Sequence, residues 1–426
     1  MELVIFLISL FGLLALGIPI AIVLVLCSMT LMYYSGMWDT MIIPQAMLDG
    51  ANNYPLMAIP FFVFAGEIMT EGGLSKRVVQ LAQLLIGRVR GGLGYAAIVA
   101  SVIFAGLMGS SVGEAAALGG LLLPMMAQVG YNPGRAGGVI ASGAILGPII
   151  PPSTNFILLG ATVGLSITKL FMIGLVPGLI IGLALMVTWF FIVRIDGYNE
   201  KITFTKEEAR KIILDATPAF MMPVLLLGGI RFGIFTPTEG GAFACVYAIA
   251  VCTLYYRELS FKGLLEVSAR AARTTSVVML IVATATAVGW FITLAQIPAQ
   301  VASVFRPLVD SPFLLLIAIN VFLFAAGMVM DLTPNILIFA PVFYPLIEQA
   351  GIDPYYFGLL FVLNLGIGVI TPPVGTVLYV VCGIGNIKIS TLVAKMAPFL
   401  IVEMIMLFLL LFFPSLSIIP MNFLME

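Results

Sequence analysis

The sequence predicts an all-α polytopic membrane protein, built as an inverted structural repeat with two re-entrant hairpins and two discontinuous helices. Three observations predict it. Of the 426 residues, 62% are apolar and only 9% are charged, a balance that no soluble domain of this length needs to fill its core. The apolar residues fall in successive runs, many near the length of about 20 residues that a helix needs to cross a bilayer. The prolines of the first half recur at a fixed offset in the second.

Composition also excludes several classes. A net charge of -1 leaves no electrostatic footprint for nucleic acid. There is no histidine, hence no imidazole metal site, and no Gly-Lys dipeptide for a phosphate-binding loop, so no ATP use is expected. Cys27, Cys245, Cys252 and Cys382 lie in apolar runs without a CxxC spacing and read as small hydrophobes. No nucleophile-base pair or metal-ligand cluster is visible, so an enzyme is not expected.

The run from Leu3 to Tyr34 is long enough to span with tilt, and it lacks the basic start and small-residue cleavage site of a signal peptide. Further runs lie near 55–70, 94–129, 136–168, 170–194, 213–233, 236–256, 274–296, 312–350, 355–388 and 391–419. Runs 94–129 and 312–350 carry Gly, Ser, Asp, Thr and Pro at their middles, as two half-length helices meeting at a polar tip would. These are the expected hairpins, and 136–168 and 355–388 are the expected broken helices. The remaining runs and the broken helices make nine expected crossings. A cytoplasmic N-terminus and periplasmic C-terminus then put every basic residue inside except Lys169, Arg231 and Arg306, as the positive-inside rule favours. Residues 74–90 place Leu74, Val78, Leu81 and Leu85 opposite Arg77 and Arg88, the pattern of a helix lying along the interface, and the basic segment 257–273 could do the same. An ordinary charged loop is the competing reading of both.

With a shift of 221, Pro124, Pro133, Pro151, Pro152 and Pro177 fall on Pro345, Pro354, Pro372, Pro373 and Pro398. Upstream the shift becomes 218, pairing Pro19 with Pro237 and Gly109 with Gly327. The expected units are a first repeat over 1–195, a cytoplasmic linker with a connecting transmembrane helix over 196–234, and a second repeat over 235–426. One added crossing turns the second unit upside down. Two opposite-facing gates made from one design are the architecture of secondary transporters.

The first tip reads Gly109-Ser110-Ser111-Val112-Gly113-Glu114, and the first break runs from Gly147 through Pro151-Pro152 to Asn155. The second tip runs from Gly327 through Asp331 to Asn335, and the second break from Gly366 through Pro372-Pro373 to Thr376. Consecutive prolines remove backbone donors and leave carbonyl oxygens unpaired at mid-membrane depth. Such oxygens and Ser or Thr hydroxyls suit Na+, while helix N-termini after each break favour an anion. One cation is expected between Ser110, Ser111, Gly147 and Pro151, and another between Gly327, Asp331, Gly368 and Thr371. The anionic substrate is expected between them, against Ser110, Ser153, Thr154, Asn155, Asp331 and Thr376.

Structural roles compete with these. Ser111 with Glu114 fits a capping box, as does Thr236 with Glu239 behind Pro237. Asp331 could merely flank a helix start, although an uncompensated carboxylate at that depth costs roughly 2.5–3.5 kcal/mol. The double prolines could be simple kinks. Glu67 reads as snorkelling or pairing with a basic neighbour.

The tip GSSVGEAAALGG, the break GPIIPPS, the start FTPTEGGAFA and the pair DLTPN with GVITPPVGT together resemble the large membrane subunit of tripartite ATP-independent periplasmic (TRAP) transporters, over essentially the whole chain. The resemblance implies the elevator-type fold of the wider ion-transporter class, in which hairpins and broken helices carry substrate past a fixed scaffold, driven by two or more Na+. It implies two partners in the bacterial inner membrane system: a small four-helix membrane subunit, and a periplasmic binding protein that delivers an organic acid anion. Sialic acid is the expected cargo and a C4-dicarboxylate the next. By resemblance, Ser110, Ser153 and Asp331 match positions important for transport in sialic-acid members, whereas Glu114 departs from the small or hydroxyl residue expected there. Alternatives are a stand-alone Na+/dicarboxylate symporter of the same fold, and a channel-like pore.

Overall fold

The computed structural model describes residues 1–425, without the side chains of Ala302, Val304, Arg306 and Pro307, so the expectation for Arg306 lies outside the described residues. Regular structure in them is helical throughout. The first apolar run is two helices, α1 (Glu2–Ala15) and α2 (Ile20–Tyr34). They fold back on each other, since Ser9 Oγ donates to Cys27 Sγ at 3.4 Å, an approach impossible along one rod. This corrects the expected single N-terminal span. Gly17 takes a left-handed φ of 76°, and Pro19 lacks the donor that would continue the helix.

α3 (Ile42–Ala51) and α4 (Ala58–Glu71) follow, and α5 (Leu74–Ile86) turns off at 71° behind Gly72 and the left-handed Gly73. Leu74 and Val78 are buried on α5, but Leu85 is 66% exposed. The first hairpin is α6 (Gly92–Met108) and α7 (Ser111–Gln128). The first broken helix is α8 (Pro133–Gly143) and α9 (Thr154–Val163), and α10 (Ile167–Asp196) closes the half.

α11 (Lys206–Arg231), α12 (Pro237–Ala250), α13 (Phe261–Leu294) and α14 (Ile297–Val309) open the second half. The basic segment 257–273 does not form a separate surface helix. From Phe261 it is the start of the 34-residue α13, because no glycine pair like Gly72-Gly73 interrupts it. The second hairpin is α15 (Pro312–Gly327) and α16 (Leu332–Gln349), and the second broken helix is α17 (Pro354–Gly368) and α18 (Thr376–Gly385). α19 (Ile389–Phe412) and α20 (Ser415–Met425) end the chain. Among the described residues, five helices are long and apolar enough to cross a membrane, or six with the bent pair α4 and α5. The expected nine crossings are therefore more subdivided than the apolar runs suggest, because glycine and proline break them without lowering hydropathy.

The two halves pack reciprocally. α7 lies against α18 and α16 against α9, while α8 lies against α19 and α17 against α10. Each hairpin's second arm thus rests on the far piece of the other half's broken helix. Both proline doublets, Pro151-Pro152 and Pro372-Pro373, contain a cis peptide bond. Buried polar pairs tie the pieces: Asn364 on α17 donates to the Asn320 side chain on α15 at 2.7 Å, and Trp189 on α10 donates to the Gly91 carbonyl at 2.9 Å.

Gln300 on α14 holds the start of the chain, accepting from the Leu3 amide at 3.3 Å and donating to Glu2 at 2.8 Å. α14 follows the end of α13, whereas the basic segment forms its beginning. The start of α1 therefore lies at the other end of α13 from that basic cluster, which corrects the expectation that the N-terminus shares the basic side.

At the basic end, Arg77 on α5 bonds Glu258 at 2.7 Å and stacks over the Tyr256 ring. The Arg77 hydrogen bond holds the Glu258 carboxyl below its ordinary value of 4.5. A lowered folded value stabilises the fold above about pH 4.5 and loses that contribution as pH falls through the lowered value. Thermal melts in detergent should show Arg77→Leu costing about 1 kcal/mol, as a partly exposed pair implies, with the gap from wild type narrowing below pH 4 to what the Tyr256 stacking contributes.

Candidate substrate and cation site

The first tip meets the first break through direct hydrogen bonds. Gly109 ends α6 with a left-handed φ of 61°, which turns its carbonyl toward α9. There it accepts from Thr154 Oγ1 at 2.9 Å and from Asn155 Nδ2 at 3.5 Å. Ser110 caps α7, its hydroxyl accepting from the Gly113 amide at 3.4 Å. The cap is thus one residue earlier than the box expected from Ser111 and Glu114. Ser111 is already helical and Glu114 does not reach back, which corrects that reading. The other box forms: Thr236 accepts from the Glu239 amide at 3.3 Å, and Glu239 accepts from the Thr236 amide at 2.8 Å.

The second tip meets the second break by backbone packing. A Cβ on Gly368 would stand 2.6 Å from the Gly327 carbonyl carbon, so the two backbones touch. The Val374 amide donates to the Met328 carbonyl at 3.2 Å, and Thr376 Oγ1 donates to Asp331 Oδ1 at 3.4 Å. Asp331 starts α16, but its carboxylate caps no amide of its own helix.

A cavity of about 370 Å³ lies beside the tips. Ser110, Ser111, Thr154, Asn155, Asp331 and Thr333 line one side, and Phe62 and Glu67 of α4 with Thr274 and Val278 of α13 line the other. Three helices, α7, α9 and α16, begin at this cavity. Their free amides and aligned dipoles make its tip-facing wall electropositive without a basic side chain. Its two charged lining residues, Asp331 and Glu67, are acidic. Glu67 in turn pairs with Arg270 at 3.4 Å, and Arg270 also bonds Glu71 at 2.6 Å.

Of the residues expected to touch substrate, Ser110, Thr154, Asn155 and Asp331 line the cavity together. Ser153 does not. It is buried, donating to the Pro148 carbonyl at 2.5 Å and accepting from the Phe156 amide at 3.2 Å as the cap of α9. Thr376 stands behind Asp331 rather than on the wall. Of the expected first cation ligands, Ser110, Ser111 and Gly147 gather at the tip, whereas the Pro151 carbonyl faces Gly106 on α6. Of the second set, Gly327 and Gly368 meet and Asp331 bonds Thr376 after the same break, but the Thr371 hydroxyl donates back to the Ile367 carbonyl of α17, 2.7 Å away. The α4 and α13 wall went unread in the sequence, because Phe62, Thr274 and Val278 look like any lipid-depth residues until the two helices are seen facing the tips.

A chamber with polar side chains and three helix starts inside an apolar, all-helical body defines a multi-pass membrane protein. The chain matches the family described as the tripartite ATP-independent periplasmic transporter, DctM component, over residues 7–416. It belongs to that family of TRAP transporter large permeases. It is 47% identical to the 2,3-diketo-L-gulonate TRAP transporter large permease protein YiaN of Escherichia coli, covering 99% of each chain. Identity is 35% to the sialic acid TRAP transporter large permease protein SiaM of Vibrio cholerae, over 96% of this chain and 95% of that one. Its fold resembles that of the Alcanivorax borkumensis YdaH transporter, with a TM-score of 0.63 at 16% identity over 87% of this chain and 86% of that one.

Proposed function

We propose that this chain is the permease through which a Na+ gradient drives uptake of an organic acid anion handed over by a periplasmic binding protein. One observation carries the reading: the cavity has an electropositive wall of helix starts, yet its own ionisable side chains are acidic. An anion there faces Asp331 and Glu67, and a cation bound at the tips relieves that repulsion. Substrate and cation then stabilise each other, which is the thermodynamic content of coupling. Two Na+ entering with a monoanion carry one net positive charge, worth roughly 2.3 kcal/mol at 100 mV in addition to the Na+ gradient.

The cavity lies between the tips and breaks on one side and α4 and α13 on the other, and this boundary supports an elevator mechanism. The hairpins and broken helices slide as a body against α1–α5 and α11–α14, related as an inverted repeat, and a small four-helix subunit braces the scaffold. Placing the basic segments on the cytoplasmic side of the inner membrane puts the start of α1 on the periplasmic side with the C-terminus, since α1 begins at the end of α13 far from its basic start. As cargo, a sugar acid such as 2,3-diketo-L-gulonate takes precedence over sialic acid, because the relative named for it shares more of this sequence.

Proteoliposome uptake tests the reading. Omitting the binding protein, omitting the small subunit, or replacing Na+ with choline should each reduce uptake to background. Full uptake without the binder removes the tripartite reading, and full uptake in choline removes Na+ coupling.

A further inference from the structure

Glu114 is fully buried on α7, one turn beyond the first tip, and neither carboxylate oxygen has a hydrogen-bond partner among the described residues. Two more orphaned oxygens stand beside it. The Ser101 hydroxyl on α6 lies within reach of its carboxyl, and Ser111 lies three residues earlier on the same helix face; both hydroxyls are buried, and neither makes a well-formed hydrogen bond among the described residues. The first break closes the group from the other side, where a Cβ on Gly147 would stand 2.8 Å from Glu114 Oε2 and 3.3 Å from the Ser110 carbonyl. Among the described residues, no basic side chain pairs with Glu114.

Buried polar atoms without partners are rare in native proteins, and a carboxylate is the costliest of them. The Glu114 carboxyl with the Ser101 hydroxyl beside it, and the Ser111 hydroxyl one helical turn away, supply oxygens of the kind that a hard monovalent cation satisfies together, since it prefers carboxylate and hydroxyl ligands. We propose that Glu114 is a charged ligand of the first-half cation, with the Ser101 and Ser111 hydroxyls completing its side-chain set. The Ser110 hydroxyl already accepts from the Gly113 amide, so it has one lone pair left to offer. This rests on the Na+-coupled reading and gives it a mechanism. Filled, the site is neutral; empty, it leaves an unpaired negative charge in an apolar interior. Substrate transit is therefore favoured with the ion bound, and membrane voltage acts on the return of the empty carrier as well as on loading.

The test is a Na+ titration, against choline at constant ionic strength, of thermal stability in detergent and of uptake in proteoliposomes. Wild type is stabilised by Na+. Glu114→Gln keeps shape but removes charge, and should raise the half-saturating Na+ concentration at least about 10-fold in both readouts, roughly the worth of one charged ligand. Ser101→Ala and Ser111→Ala should each raise it by about 3-fold or more. Glu403→Gln, a second buried and unpaired carboxyl on α19 beside Ser142, should leave the titration unchanged. Wild-type Na+ dependence in Glu114→Gln overturns the proposal and makes the carboxyl a neutral packing group. Should that variant not fold, unchanged titrations in both serine variants overturn it equally. A shift in Glu403→Gln as large as in Glu114→Gln overturns it by moving the ion elsewhere. A wild type indifferent to Na+ defeats the coupling reading itself, and this proposal with it.

Discussion

Asp331→Ala is expected to cut Na+-driven uptake by about 100-fold while the purified protein still melts cooperatively in detergent. The carboxylate begins α16 and caps none of its amides, so the helix loses little when it goes. What it does hold is the Thr376 hydroxyl at 3.4 Å, across the contact between the second tip and the second break. On the Na+-coupled reading proposed above, an ionised ligand in a site removed from bulk water is worth about 3 kcal/mol to cation binding, and each 1.4 kcal/mol is about tenfold in affinity. Asp331→Asn separates the possible roles, because it keeps the Thr376 contact and removes the charge. Uptake in Asn as low as in Ala is the expected result. Near wild-type uptake in Asn, with wild-type Na+ dependence, would show that the carboxylate acts only through its shape.

Gly368→Ala is expected to abolish uptake through sterics alone. Neither Gly368 nor Gly327 needs a left-handed backbone, since neither is among the positive-φ glycines, so conformational freedom is not the reason for glycine there. The reason is contact. An added Cβ would meet the Gly327 carbonyl carbon at 2.6 Å and its Cα at 2.7 Å, and backbone atoms cannot rotate away as a side chain end does. The tip must lift from the break, opening the second cation position and breaking the bond from the Val374 amide to the Met328 carbonyl. Overpacking of this kind costs about 1–3 kcal/mol in stability, a few degrees in a melt, whereas geometry lost at an ion site removes coupling altogether. Gly289→Ala is the control, because a Cβ there meets nothing within 4 Å. Wild-type uptake in Gly368→Ala would show that the tip and break need not touch.

What could be read without coordinates was whatever leaves a periodic or compositional trace. The hairpin tips and proline doublets interrupt apolar runs with residues that lipid does not tolerate alone, and a tip against a break is what the structure shows at both Gly109 and Gly327. The fold-back at Gly17 and Pro19 escaped notice because two residues among thirty apolar ones do not lower hydropathy enough to mark a turn. The converse holds at 257–273, where basic residues lower hydropathy and suggest a boundary although α13 runs unbroken from Phe261 to Leu294. Serine hydroxyls illustrate the limit at the site. Ser110, Ser111 and Ser153 look alike in sequence, yet Ser110 and Ser153 spend their oxygens capping helices while Ser111 is left unpaired, and Glu114 looked like a cap and caps nothing.

The sequence by itself determined that the chain is a membrane protein with polar breaks at fixed places and prolines recurring at a fixed offset, because hydropathy and proline spacing act locally and survive any arrangement of the helices. Only the tertiary structure decided which buried oxygens lack a hydrogen-bond partner among the described residues, that α4 and α13 complete the cavity wall, and at which end of α13 the chain begins. Those depend on hydrogen bonds and contacts between segments far apart in the chain, where a shift of one residue in a cap exchanges a ligand for a bystander.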